Sequence, residues 1–344
     1  MDRQRLQALP KVELHSHLDG GLRVRTVLEL ADELGYTGLP AGDEASLAAW
    51  FYRGGAGSLE QYLAGFEHTI AVMQTQPAIR RVAYEAARDL HADGVIYAES
   101  RFAPVLNTRS GLAREDAIEA ALDGFAAASA ETGLVVNLIV DAMRNFPDSE
   151  SDARAALRFV DRGVVGFDLA GPEDGFPPEP HAPACRIARS GGLHLTIHAG
   201  EAAGPRSVAA ALDVCGAERI GHGIRLADQI DPETMAMGLV AASVAARRVP
   251  LEVCPTSNLH TLGIRAGEHP LGLLVRSGFN VTLNTDNRLM SDVTLTDEFE
   301  FALTHQGLSE DDLQQISLNA AEAAFADAGT RRALREAIQL GYAS

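Results

Sequence analysis

The sequence predicts an α/β fold: a (β/α)8 TIM barrel with extra helices after strand one forming a lid. Three observations carry this. About eight β-rich runs recur along the chain, separated by Ala-rich helical stretches. Most of the runs are continuously apolar, as parallel strands covered on both faces must be. One connection, between the first and second runs, is oversized at roughly 75 residues. An open doubly wound sheet is the competing arrangement for the same rhythm.

The runs are VELHSHL from Val12, VIYAESRFA from Val95, LVVNLIVDAM from Leu134 and VVGFDLAG from Val164. LHLTIHAGE from Leu193, ERIGHGI from Glu218, PLEVCPTSN from Pro250 and FNVTLNTDN from Phe279 complete the set. Between them, Ala117 to Thr132 reads as a helix stopped by Gly133, and Ser207 to Cys215 as one stopped by Gly216. Ser309 with Asp312 three residues on reads as a capping box. The long connection carries helical patterns around Thr26–Gly35, Ser46–Tyr52, Ser58–Gln74 and Ala78–Asp93. An insertion there sits on the catalytic face of a barrel, so 36–76 is expected to be a lid within a single domain, 1–344.

The balance of 47 acidic against 29 basic residues gives a net charge of -18. That argues against sequence-independent nucleic-acid binding, which needs cations to neutralise phosphates, and against a polybasic membrane surface. No apolar run reaches the ~18 residues of a membrane span. The start lacks the apolar stretch of a signal peptide. Cys185, Cys215 and Cys254 form no CxxC pair, so a cysteine zinc site or disulfide framework is not expected, and a cytoplasmic location is.

Polar residues gather at the ends of the runs. His15 and His17 lie two apart on strand one and share a face. Strand five ends in His198-Ala-Gly-Glu201, strand six carries Gly221-His222-Gly223, and strand eight ends in Asn284-Thr285-Asp286. In a barrel these carboxyl ends converge on one mouth. Burying such groups there is costly unless they pair or bind a metal. Three imidazoles and a carboxylate suit a divalent transition metal, zinc first, which makes hydroxide available near neutral pH. Metal-assisted hydrolysis is the chemistry these residues point to.

KVELHSHLDGG, DLAGPE, TIHAGE, IGHG, CPTSN and LNTDN, in this order, resemble the adenosine deaminase family. SLEQYLAGFEHTIAVM and GVIYAESRFAP resemble its lid helix and second strand. The resemblance implies a barrel holding one Zn2+ per chain. It implies hydrolysis of adenosine or 2′-deoxyadenosine to inosine or deoxyinosine and ammonia, a step of purine salvage. By motif, His15, His17, His198 and Asp286 are the implied zinc ligands. Glu201 matches the acid that protonates a purine ring nitrogen. His222 matches the non-ligand histidine that orients and helps deprotonate the zinc-bound water. Gly171 matches the backbone N–H that meets another ring nitrogen, and Asp19 the acid near the ribose 5′-hydroxyl. Leu59, Tyr62, Leu63 and Phe66 align with apolar lid positions, which also suit the buried face of an amphipathic helix. The implied partner is a small purine nucleoside, with no nucleic acid and no membrane.

Lys11 is the single lysine, so a second metal bridged by a carboxylated lysine, common among wider amidohydrolases, is unavailable. One departure stands out. The family usually has two aspartates and a proline after the NT dipeptide, where this chain has Asp286-Asn287-Arg288. The Asn287 amide can donate directly to a purine nitrogen, whereas a carboxylate needs a shared proton. Purine binding with altered pH behaviour is therefore expected. Adenine and aminodeoxyfutalosine deaminases are the neighbouring alternatives. AMP is disfavoured because Asp19 would repel a phosphate. A catalytically dead barrel acting as a binding module is the alternative of another class, disfavoured because all four metal positions are filled.

Overall fold

The computed structural model describes residues 1–343. Eight parallel strands run in the order β1 to β8: β1 Lys11–His17, β2 Val95–Phe102, β3 Val135–Met143, β4 Val164–Ala170, β5 His194–Ala199, β6 Arg219–His222, β7 Pro250–Val253 and β8 Asn280–Leu283. The sheet closes just beyond β8. Ser16 and Asp286 form a parallel bridge, with His17 N donating to Asp286 O at 2.7 Å and Asp286 N to His15 O at 2.9 Å. The barrel seam is thus built on the backbone of the residues whose side chains face the mouth.

Every residue of β1 is buried, as helices outside and side chains inside require. The interior is partly ionic. Arg219 pairs with Glu99 and Glu252, both at 2.6 Å, and Arg101 with Glu252 at 2.9 Å. Buried charges of this kind persist only when paired. Lys11 lies at the amino end of β1, where its Nζ donates to the carbonyls of Gln7, Leu9 and Asp93 at 2.9, 3.1 and 2.7 Å. Burial lowers this amine to about 8.

The local stops lie where the sequence puts them. The Arg114–Thr132 helix ends at Gly133 with φ 75°, and the turn Ala211–Cys215 at Gly216 with φ 77°. Ser309 and Asp312 make the reciprocal capping bonds. The long connection holds helices Val24–Leu34, Glu44–Phe51, Leu59–Leu63, Phe66–Val72 and Gln76–Ala92. The Ser58–Gln74 pattern is therefore two helices rather than one. Ser58 caps the first by accepting from Gln61 N at 3.3 Å, and the break falls at Ala64–Gly65. Gly65 packs so close to Met290 that a Cβ would come within 2.7 Å of its sulfur. No helix among the described residues is long and apolar enough to cross a membrane.

Candidate active site

A cavity of about 450 Å³ opens at the carboxyl end of the strands, where a barrel enzyme places its chemistry. His17, Asp19, Leu59, Tyr62, Leu63, Phe66, Gly171, His198, Glu201, His222, Asp286 and Asn287 all line it. His15 alone of the expected residues lies beneath its floor, fully buried. Its ring centroid is 4.6 Å from that of His198 and 4.9 Å from that of His222.

Two of these residues are held in an unusual backbone conformation. His222 has φ 63° and Asp286 φ 59°. Left-handed backbone in a non-glycine residue costs on the order of 1–3 kcal/mol and persists where the surroundings impose it. At Asp286 the surroundings are the barrel seam, and Ser257 Oγ fixes the carboxylate by donating to Oδ2 at 2.5 Å.

Donor atoms of His15, His198, His222 and Asp286 lie within 4.8 Å of one another. His17 stands at the same place: its Nε2 is 3.2 Å from His198 Nε2 and 3.4 Å from Asp286 Oδ1. His15 Nε2 is likewise 3.4 Å from Asp286 Oδ1. Proximity therefore admits five donors for a metal.

The residues behind the rings separate them. His15 Nδ1 is 2.9 Å from Glu252 Oε2, His198 Nδ1 is 2.8 Å from Asp168 Oδ2, and His17 Nδ1 is 3.4 Å from Asp141 Oδ2. A carboxylate beside Nδ1 favours the proton there and leaves the Nε2 lone pair free, the arrangement of a metal-bound imidazole; the contact is a hydrogen bond at His15 and a charge contact at His17 and His198. Three such lone pairs face one carboxylate across the cavity floor, and His15 Nε2 has no hydrogen-bond partner. A cation suits this donor set and would give His15 Nε2 the partner it lacks. His222 differs, since its Nδ1 faces the side-chain amide of Asn258 at 3.0 Å.

Arg101 ties two of the supporting acids together, 2.8 Å from Asp168 and 2.9 Å from Glu252. Burial alone would raise both carboxyls. For Asp168 the neighbouring His198 and Arg101 outweigh it, and for Glu252 the Arg101 and Arg219 charges do, so both are held below the ordinary range. Asp168 and Glu252 are thereby kept as acceptors.

Glu201 is buried at the cavity wall. Thr261 Oγ1 donates to its Oε1 at 2.9 Å, and its Oε2 is 3.6 Å from His222 Nε2. Burial raises its carboxyl, favouring the protonated form that a general acid requires. Glu173 anchors the loop: Oε1 accepts from Gly200 N at 2.7 Å, and Oε2 from the amides of Glu201, Ala202 and Ala203 at 2.8–3.0 Å.

The remaining residues line the rest of the cavity. Asp19 is buried and pushed up to about 6 by that burial. Asn287 packs directly on Gly20, where a Cβ would collide with Asn287 Oδ1. Gly171 has φ 93°, a conformation that favours glycine. Tyr62 OH is 2.8 Å from Ser291 Oγ, joining the helices over the cavity to the segment after β8.

Sequence reasoning missed Asp141, Glu252, Arg101, Asn258 and Thr261. Charged residues inside otherwise apolar runs were the available signal for the first three, as in LIVDAM, PLEVC and AESRF. Nothing in one sequence marks Thr261.

The adenosine deaminase family model matches residues 10–340. An adenosine deaminase of Mycobacterium marinum is 47% identical over 330 residues, 93% of this chain and 91% of that protein. An adenosine deaminase of Mycobacteroides abscessus is 47% identical over 345 residues, 97% and 95% of the two chains. Among solved structures, an adenine deaminase from Arthrobacter aurescens superposes with TM-score 0.86 at 26% identity, covering 98% of this chain and 100% of that one. An amidohydrolase from Burkholderia ambifaria with bound Zn gives 0.84 at 29%, covering 99% and 92%. With eight strands closed around this site and relatives matching over nearly its whole length, the chain belongs to the adenosine deaminase family.

Proposed function

We propose that this enzyme hydrolyses adenosine and 2′-deoxyadenosine to inosine and deoxyinosine with release of ammonia. The observation that carries the reading is the set of three carboxylate-backed imidazoles facing Asp286 at the floor of a cavity within the size range of small-molecule sites. His15, His17, His198 and Asp286 would hold one zinc ion. Bound there, it would supply the Lewis acidity that makes water nucleophilic near neutral pH.

The chain's own residues do the rest. Glu201, protonated in its buried site, donates to a purine ring nitrogen and draws electron density from the adjacent carbon. His222 orients the attacking water. The Gly171 backbone and the Asn287 amide grip other ring nitrogens, the amide donating without a shared proton. Asp19 receives the ribose 5′-hydroxyl. Leu59, Tyr62, Leu63 and Phe66, within the 36–76 segment, cover the purine as a lid and exclude water. The whole chain acts as one domain in this reading.

Asp19 also bears on the competing substrates. A carboxylate buried at the 5′ end opposes a phosphate, whereas Arg109 lines the same cavity and would favour one. Side-by-side turnover of adenosine, deoxyadenosine, adenine and AMP decides. Adenosine and deoxyadenosine are expected to dominate; comparable turnover of AMP or adenine would overturn the assignment.

A further inference from the structure

Asn258 lies on the Pro255–Leu262 helix directly after β7 and is fully buried. Its side chain stands between two imidazoles. Nδ2 is 3.0 Å from His222 Nδ1, and Oδ1 is 3.4 Å from His269 Nε2. The second imidazole has a further neighbour: the backbone N–H of Leu271 donates to His269 Nδ1 at 3.1 Å.

That last contact fixes the polarity of the whole chain of bonds, because a backbone amide can only donate. His269 Nδ1 is therefore an acceptor. A neutral imidazole carries one donor and one acceptor, so His269 Nε2 bears the proton and donates to Asn258 Oδ1. The neutral form is the one burial favours, lowering this ring to about 3. The amide orientation follows from the network: Asn258 Nδ2 faces His222 and donates to its Nδ1. His222 in turn carries its proton on Nε2, the nitrogen that faces Glu201 Oε2 at 3.6 Å.

We infer that Asn258 and His269 are positioning residues that hold His222 in the Nε2–H form, making it a hydrogen-bond donor toward the reacting centre and keeping it out of the metal's ligand set. The inference rests on the deaminase reading for its catalytic consequence. Two things follow. His222 sits as close to the donor cluster as the ligands do, yet it has no lone pair on the nitrogen that points there. Its tautomer is opposite to that of His15, His17 and His198, whose Nδ1 atoms face carboxylates. Second, a neutral His222 in this form orients the attacking water by donating to its oxygen.

The test is long-range 1H–15N correlation of the histidine rings in metal-free and zinc-loaded protein, with His222 assigned from His222→Gln. The expected spectrum has a protonated Nε2 and a bare Nδ1 for His222 in both forms. The tautomer is read without substrate. If adenosine is not turned over, the function fails while the tautomer stands or falls alone. Asn258→Asp, with two acceptor oxygens, should switch His222 to Nδ1–H. His269→Leu should lower kcat about 10-fold with KM little changed, the loss expected for one hydrogen bond, while His269→Gln, which can still donate to Asn258, should restore most of it. A wild-type His222 protonated on Nδ1, or an unchanged tautomer in Asn258→Asp, would overturn the inference.

Discussion

His17 and His198 present their Nε2 atoms to each other across 3.2 Å, while a carboxylate stands at the other nitrogen of each ring. A metal ion between two lone pairs so placed would bind both rings at once. Removing metal by chelation is therefore expected to abolish turnover and lower the thermal midpoint. A ligand at 100 times its Kd contributes about 3 kcal/mol to the folded state. Metal analysis should find one zinc per chain, and added zinc should restore both properties. Full activity in metal-free protein would sink the assignment.

Glu201→Gln keeps the size and the Thr261 contact but removes the acidic proton. Its kcat is expected to fall by roughly 10² to 10⁴, the usual contribution of a positioned acid, with zinc content and melting temperature retained. A change below about 3-fold would remove Glu201 from the chemistry.

Asn287→Ala should lower adenosine kcat/KM about 10-fold, the effect of one lost hydrogen bond. Gly20→Ala is expected to act on the same contact, since its new Cβ would collide with Asn287 Oδ1 and must displace it. Asn287→Asp should bind purine only with a shared proton, so its activity should decline as pH rises where the parent's does not. Unchanged adenosine kinetics in Asn287→Ala would show the contact to be wrong.

Tyr62→Phe removes the 2.8 Å contact to Ser291 that ties the Leu59–Leu63 helix to the segment after β8. Faster amide exchange across 59–72 and a raised KM are expected, with a stability cost of about 1 kcal/mol. Unchanged exchange there would show that the contact does not hold the segment.

Lys11 sets a pH dependence of stability. Burial lowers its folded pKa to about 8 from an ordinary 10.5. A depressed folded pKa contributes stability that is fully present above the unfolded value and is lost as pH falls through the folded one. Stability from this group thus rises between about pH 8 and 10.5, by a few kcal/mol at most. Lys11→Met should flatten the melting temperature across that window; an unchanged slope would contradict the assignment.

The strands were legible because parallel β-structure buried on both faces leaves continuous apolar runs, and each of the eight lies on one. Gly133, Gly216 and the Ser309–Asp312 pair were legible because left-handed stops and reciprocal caps are local chemistry. The break at Gly65 was not, because it answers to Met290, which is distant in sequence. At the site, His15, His17, Glu201 and Asp286 stand at strand ends where polarity interrupts an apolar pattern. Asp141 and Glu252 interrupt it too, but their role depends on His17 and His15, which only the closed barrel brings against them. Asn258 acquires meaning only from His222 and His269, 36 and 11 residues away.

The three carbonyls around Lys11 reach past folding. They enclose the chain's one ε-amine, and arginine supplies every other basic side chain. Acetylation, ubiquitin attachment or amine-directed cross-linking at a lysine needs an exposed side chain, and Lys11 is buried. The described surface offers no lysine side chain, so modification of that kind has no site on the folded protein.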